Sequence, residues 1–158
     1  MDTRAYRDTI GQFATGVTVV TSNVDGQLHG MTANAVSSVS LDPLLLLVCV
    51  DRGAKCYQQI EKAGAFGVNI LAADQEELSN LFARSSEPSD DLGAPCQLDE
   101  HGVPLLEGCM AHFSCELHEI LDGGDHGIFL GRVRAGGIDR DDAAPLLYFR
   151  GRYATTAE

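Results

Sequence analysis

Short runs of apolar and β-branched residues recur along most of the chain. Two of these runs flank Asp25-Gly26, a dipeptide that favours a tight hairpin turn. Residues 44–51, "LLLLVCVD", show no polar alternation, which predicts a strand buried on both faces. Similar strand-like runs cover 65–72, 109–121, 126–138 and 145–153. The pattern therefore predicts a mainly β chain.

Two segments have helical character instead. Residues 53–64 predict a short helix with Ile60 on its apolar side and Gly64 as its C-cap. Residues 74–85 predict a second helix that begins at Asp74 as N-cap. Its expected buried residues are Leu78, Leu81 and Phe82.

The order of these elements indicates an antiparallel architecture. Strands follow one another with only short helices between them, and neither an internal repeat nor a G-x-G-x-x-G motif is present. The polar, turn-rich segment 85–96 predicts a mobile loop. We therefore expect an antiparallel β-barrel and not a doubly wound parallel sheet.

Composition bounds the kind of protein. The chain has 158 residues, of which 44% are hydrophobic and 22% charged, so we expect a single soluble domain over 1–158. No apolar run approaches the roughly 20 residues of a membrane span. The first residues also lack the basic-then-apolar layout of a signal peptide, so we expect a cytoplasmic location.

Charge and cysteine content narrow the partners. The net charge of −12 argues against nucleic acid or an anionic membrane, because both are bound by clustered Lys and Arg. An anionic ligand would need a local positive patch. The five cysteines are odd in number and lack a disulfide framework, so free thiols are expected.

The segment "CMAHFSCELH" places four possible zinc ligands three residues apart, at Cys109, His112, Cys115 and His118. Residues three apart point to opposite faces of a strand, so these side chains would not converge. On a helix, steps of three drift around the axis. We interpret the segment as a structural strand and expect no metal.

Two segments could contact a ligand. In "DRGAKCYQQI", residues 51–60, Arg52, Gly53 and Lys55 surround the start of a helix, which favours phosphate binding. Solvated surface charge is the alternative. His126 follows a Gly-Gly-Asp turn at the start of a strand, where a ring could face a ligand or cap the turn.

The stretch "HGMTANAVSSVSLDP", residues 29–43, is dense in small hydroxyl and amide side chains. Such groups offer hydrogen bonds with little bulk, which suits the edge of a flat polar heterocycle. Local Asx and Ser/Thr turns favour the same residues. Composition leaves both interpretations open.

Five segments in order resemble one family. "FATGVTVVTS", "HGMTANAVSSVSLDPLLLLVCVDRGAKCYQQI", "FGVNILAADQEELSNLFA", "GDHGIFLGRV" and "PLLYFRGRY" are similar to the flavin reductase-like family with the FMN-binding split-barrel fold. The resemblance runs from about Tyr6 to Tyr153. It implies a mainly β, antiparallel split barrel of Greek-key type with a few short helices.

The resemblance also implies site residues. Expected contacts with the flavin are Thr32, Ala33, Asn34, Ser37, Ser38, Val50, Asp51, Ala54, Lys55, Cys56, Phe82 and Arg84, with Ser79 at the same end of the second helix. Expected contacts with the nicotinamide nucleotide are His126, Arg152 and Tyr153, with His126 positioning the ring. This chain departs from the family where Ala54 and Cys56 replace hydroxyl residues and where Phe149 replaces a common histidine.

The implied activity is NAD(P)H-dependent flavin reduction, in which hydride passes from NADH to FMN or FAD. NADPH is a further possibility, although no arginine cluster is placed for a 2′-phosphate. Reduced flavin would diffuse to a partner monooxygenase, and a homodimer is expected. The alternatives are a flavin-binding electron carrier without NAD(P)H activity and a related split-barrel oxidase.

Overall fold

The computed structural model describes residues 1–157 and is mainly β. Over these residues it has three α-helices and twelve strands. The helices are α1 Thr3–Ile10, α2 Lys55–Ala63 and α3 Glu76–Ala83. The strands are β1 Thr15–Gly16, β2 Thr18–Val24, β3 Gln27–Ala33, β4 Val36–Leu41, β5 Leu44–Asp51, β6 Ala65–Ile70, β7 Cys96–Leu98, β8 Pro104–Leu106, β9 Ala111–Gly123, β10 His126–Ile138, β11 Leu147–Phe149 and β12 Arg152–Ala154.

Seven strands form the main sheet, in the order β3-β2-β6-β9-β10-β5-β4. Every pairing in it is antiparallel, which confirms the antiparallel prediction. Asp25 and Gly26 have φ values of 52° and 88° and connect β2 to β3 in the predicted hairpin. β9 and β10, each of 13 residues, form a second hairpin with two register shifts.

Two hydrophobic clusters fill the interior. Val20, Phe66 and Phe129 belong to the first cluster, together with Ile60 of α2. The second cluster contains Phe82 of α3 and lies beside the small sheet of β1, β11 and β12. α2 and α3 therefore cover different parts of the core.

The two predicted helices form, with two corrections. Gly64 ends α2 in the left-handed conformation at φ 66°, as predicted. Asp74, however, is not an N-cap: it lies in a 3₁₀ turn, Ala73–Gln75, and its carboxylate pairs with Arg140 at 3.1 Å. Leu81 is also wrong as a core residue, because its side chain is 44% exposed.

Two strand predictions are corrected as well. Leu46, Val48 and Val50 of β5 are buried, but the opposite face is only half-buried, so the strand is not buried on both faces. Residues 145–153 do not form one strand. Positive φ values at Arg150 and Gly151, 51° and 74°, turn the chain between β11 and β12.

The N-terminal helix α1 was not predicted. Asp2 caps it by accepting a hydrogen bond from the Ala5 amide at 2.8 Å, and the helix has no buried residue. All of its residues are exposed, so the helix adds nothing to the hydrophobic core. In residues 1–157 no helix has the length and apolar character to cross a membrane.

Candidate functional site

The pairing of β5 with β10 brings two distant segments together. His126, the first residue of β10, lies opposite Asp51, the last residue of β5. The backbone amide of Arg52 donates to the Asp125 carbonyl at 3.0 Å. The predicted phosphate segment and the predicted nicotinamide histidine are therefore neighbours, although 75 positions separate them in the chain.

His126 is held by its own turn. Its Nδ1 lies 2.7 Å from Oδ1 of Asp125. This hydrogen bond and the nearby imidazole lower the pKa of the Asp125 carboxyl. Because Asp125 engages Nδ1, the other ring nitrogen is the one left to contact a ligand.

Arg52 fastens this turn to α2. Its Nε donates to the Gly124 carbonyl at 2.8 Å, and Nη2 donates to Asp122 at 2.6 Å. Nη1 donates to the Tyr57 hydroxyl at 3.3 Å. The sequence suggested that Arg52 adds positive charge to a phosphate site. Its guanidinium is instead committed to the β9–β10 turn.

The start of α2 retains its anion-binding potential. Ala54 is the N-cap residue and supplies no side-chain hydrogen bond to the helix. Oδ1 of Asp51 accepts from the Gly53 amide at 2.7 Å, which shapes the approach to the helix. The first amides of a helix have no acceptor one turn earlier, although here the Tyr57 amide donates to the Ala54 carbonyl at 3.2 Å. The Lys55 and Cys56 amides therefore remain available to an anion.

Lys55 has one ionic partner among residues 1–157. Its Nζ lies 3.3 Å from the Glu87 carboxylate. Glu87 belongs to the segment 85–96, for which the sequence indicated a mobile loop. Mutual backbone hydrogen bonds between Leu28 and Ser89, at 2.6 and 3.0 Å, tether this loop to β3.

A second group of predicted residues meets between β3, α3 and β12. The Thr32 hydroxyl donates to the Ser79 carbonyl at 2.6 Å. The Ser79 hydroxyl lies 2.7 Å from the Tyr153 hydroxyl, which donates to Asn80 at 3.1 Å. These contacts fix the end of β3 that leads into Ala33 and Asn34.

β3 passes between α2 and α3 and connects the two groups. Met31 packs against the cluster that contains Cys56 of α2, whereas Thr32 bonds to α3. Gly30 lies directly against Phe82, whose ring carbons would be 2.7 Å from an added Cβ. β3 therefore contacts both helices that carry predicted site residues.

The remaining predicted residues occupy three settings. Asn34, Ser37 and Ser38 border a cavity of about 550 Å³ beside β4, away from Lys55 and His126. Four predicted apolar residues are buried in the core, so their backbone and not their side chain is what a ligand could meet: Ala33, Val50, Cys56 and Phe82. Arg84 and Arg152 are exposed.

His29 was not singled out from the sequence. Its ring is buried, Nε2 lies 3.2 Å from the Ser86 carbonyl, and Nδ1 has no partner among the described residues. Burial lowers the pKa of this histidine. A histidine in a polar stretch gave no sequence signal of burial, because the covering loop is remote in sequence.

The four residues of "CMAHFSCELH" do not converge. Cys109 and Cys115 lie in different core clusters, and burial raises their thiol pKa values to about 11 and about 12. His112 contacts Asp139 at 2.6 Å, and His118 is exposed. Across residues 1–157 no cluster of three or more His, Cys, Asp or Glu is arranged to hold a metal.

An uncapped helix start beside a histidine, at the end of two paired strands, is an arrangement that can bind an anionic ligand. The family model described as "Flavin reductase like domain" matches residues 10–157. This chain belongs to that family.

Relatives and solved structures agree with the family. The chain is 43% identical over 98% of its length to the reductase component of flavin-dependent trigonelline monooxygenase from Acinetobacter baylyi, and covers 49% of that relative. It is 40% identical over 93% of its length to an NADH-dependent flavin reductase of Rhodococcus sp, covering 82% of it. The NADH:FAD oxidoreductase SgcE6 of Streptomyces globisporus C-1027, solved in complex with NAD and FAD fragments, superposes with a TM-score of 0.91 at 38% identity. That match covers 99% of this chain and 93% of SgcE6.

Proposed function

We propose that this chain is an NADH-dependent flavin reductase that transfers hydride from NADH to FMN or FAD. The observation that carries the proposal is the β5–β10 register, which sets His126 beside the uncapped start of α2. A ring contact and an anion site thereby share one end of the sheet. Two relatives are named as an NADH-dependent flavin reductase and as a monooxygenase reductase component, which supports the same activity.

The residues present fit a phosphate-bearing flavin. The free amides at the start of α2 and the Lys55 ammonium would hold the phosphate, with Asp51 and Ala54 shaping the backbone there. The isoalloxazine and ribityl chain would run along the polar segment that Thr32 anchors. Further contacts would come from Asn34, Ser37, Ser38 and Arg84, and from backbone at Ala33, Val50, Cys56 and Phe82.

The chemistry of hydride acceptance belongs to the flavin, so the chain binds and orients. His126 would contact the nicotinamide, and Arg152 and Tyr153 would lie along the rest of the nucleotide. Tyr153 also forms a hydrogen bond with Ser79 of α3, so it can couple nucleotide binding to the segment proposed to contact the flavin. Holding the two rings in contact supplies the orientation that speeds the transfer.

The split-barrel architecture and the single domain over 1–158 are part of this proposal. β3 and β4 are the two edges of the seven-stranded sheet, and two residues of chain join them. The Cys49 amide donates to the Ala35 carbonyl at 3.0 Å within this connection. The short link supports a sheet that curls toward closure.

A homodimer would cover the apolar surface that the single chain leaves open. Phe13 and Leu41 are 72% and 84% exposed, and Leu44 lies beside them along the cavity at β4. Exposed apolar patches of this kind mark interfaces. The half-buried face of β5 would become buried in such a dimer. Five free cysteines suit a reducing, cytoplasmic location.

Reduced flavin would leave the site and supply a partner monooxygenase. The first test is NADH consumption under air with free FMN or FAD and sub-stoichiometric enzyme. Multiple turnovers that scale with added flavin are expected. Bound yellow flavin with no NADH consumption would refute the reductase and support an electron carrier.

A variant pair tests the role of His126. His126→Ala should raise the KM for NADH and leave the flavin Kd near its original value. His118→Ala, a change at an exposed histidine of the neighbouring strand, is the matched control. An unchanged KM in His126→Ala would remove the assigned role.

A further inference from the structure

Glu87 contacts the cation that a flavin phosphate would need. Its carboxylate lies 3.3 Å from Lys55 Nζ. Both side chains are partly exposed, at 45% for Lys55 and 76% for Glu87, so the pair can open without unpacking the core. A bound phosphate and Glu87 would therefore compete for one ammonium group.

The position of Glu87 is fixed by its neighbours. The Ser86 carbonyl contacts the buried ring of His29 at 3.2 Å. Two backbone hydrogen bonds hold Ser89 against Leu28. Glu87 lies between these two attachments. The segment therefore holds the Glu87 carboxylate close to the start of α2.

The neighbouring cation Arg52 does not relieve this competition. Arg52, the nearest basic residue in sequence, is committed to Gly124, Asp122 and Tyr57. The chain as a whole has a net charge of −12, which repels an anionic ligand. Lys55 is thus the cation whose availability decides how well a phosphate is held.

We propose that Glu87 sets the affinity of the site for phosphate-bearing flavins by competing with the phosphate for Lys55. The inference rests on the proposed phosphate position at α2. Glu87 weakens the binding of FMN and FAD but does not affect the binding of riboflavin, which has no phosphate. The consequence for a reductase is easier exchange of flavin between turnovers.

The test compares dissociation constants of FMN and riboflavin, measured by quenching of flavin fluorescence without NADH. The variants are Glu87→Gln, Lys55→Met and the double variant. Glu87→Gln should lower the Kd for FMN by about two- to five-fold, the range that corresponds to the free energy of an exposed ion pair. Riboflavin should be unchanged. In the Lys55→Met background the Glu87→Gln change should have little effect on FMN.

Asp90→Asn is the control for net charge. Asp90 lies three residues beyond Glu87 and forms no ion pair within residues 1–157, so its neutralisation should leave FMN affinity near that of the parent. Equal tightening by Asp90→Asn and Glu87→Gln would overturn the inference. So would equal tightening of FMN and riboflavin, or an FMN affinity that Glu87→Gln leaves unchanged.

The parent protein separates this inference from the proposed function. If FMN binds more tightly than riboflavin and Lys55→Met removes that preference, the phosphate site stands and the Glu87 variants decide the inference alone. If the parent shows no preference for FMN and Lys55→Met has no effect, the phosphate site is wrong and the role of Glu87 falls with it.

Discussion

Replacing Arg52 by methionine should weaken both the stability of the protein and its use of NADH. The change removes three side-chain hydrogen bonds, to Gly124, Asp122 and Tyr57, at 2.8, 2.6 and 3.3 Å. The Arg52 side chain is 46% exposed, so the freed groups can be hydrated and each bond counts near the low end of the usual range. The expected loss is about 1–2 kcal/mol of unfolding free energy.

The functional effect follows from what the turn carries. Arg52 holds residues 122–125, and His126 begins the strand immediately after them. The proposed phosphate segment is shaped by backbone atoms and the Asp51 carboxylate, none of which the substitution removes. We therefore expect the KM for NADH to rise up to about tenfold, since small displacements of a positioning group are costly. The Kd for flavin should change little.

The assays are thermal unfolding, steady-state kinetics with NADH and flavin titration. A loss of 1–2 kcal/mol corresponds to a Tm lower by about 2–8 °C for a chain of this size. Arg52→Lys should recover part of the KM because an ammonium can reach one acceptor but not three. Arg132→Met, at an exposed arginine of β10, is the control. A flavin Kd that weakens as much as the KM rises would show that Arg52 acts on the flavin site, and the positioning argument would be wrong.

Three further results are expected. Gly131→Ala should cost about 1–3 kcal/mol in urea unfolding, because its Cβ would lie 2.5 Å from the buried Phe66 ring, whereas Gly137→Ala has no neighbour closer than 3.9 Å. Burial lowers the pKa of His29 below 6.5, so as pH drops from 7 to 5 the unfolded chain takes up a proton before the folded chain does, and the free energy of unfolding should fall. His29→Asn should reduce this dependence of the unfolding free energy on pH. An unchanged dependence would contradict the assignment. In Ellman titrations of the native protein three buried thiols should react only after unfolding, and five fast thiols would contradict their burial. The thiols expected to react first are Cys49 and Cys96.

Local signals in the sequence were sufficient for part of the fold. Asp25-Gly26 formed its hairpin, and Gly64 ended its helix in the left-handed conformation, because both depend on backbone preferences of one or two residues. The strand 126–138 was predicted with its bounds intact. These elements would form the same way in many tertiary settings.

Two of the corrected predictions depend on distant parts of the chain, and a third depends on an unusual turn residue. Asp74 could cap a helix, but Arg140 lies close enough to bind its carboxylate instead. The apolar run 44–51 gave no information on which face the rest of the chain would cover. In 145–153 the turn was hidden because Arg150, with φ 51°, is not a usual turn residue at a positive φ.

In the candidate site, too, the individual segments could be predicted from the sequence, whereas their positions relative to one another could not. The segments that hold Thr32, Lys55 and His126 were found from their residue types and from the family resemblance. Their mutual placement comes from the β5–β10 register and from the contact of Thr32 with α3. No spacing along the chain encodes either relation.

Arg52 and Lys55 illustrate why this matters for function. Three positions apart, they were interchangeable as positive charges near a helix start. In the fold Arg52 forms its hydrogen bonds with the turn that precedes His126, whereas Lys55 contacts a single exposed carboxylate, that of Glu87. One charge has become structural and the other has remained exchangeable. A ligand phosphate would compete with one contact at Lys55, whereas at Arg52 it would have to replace three.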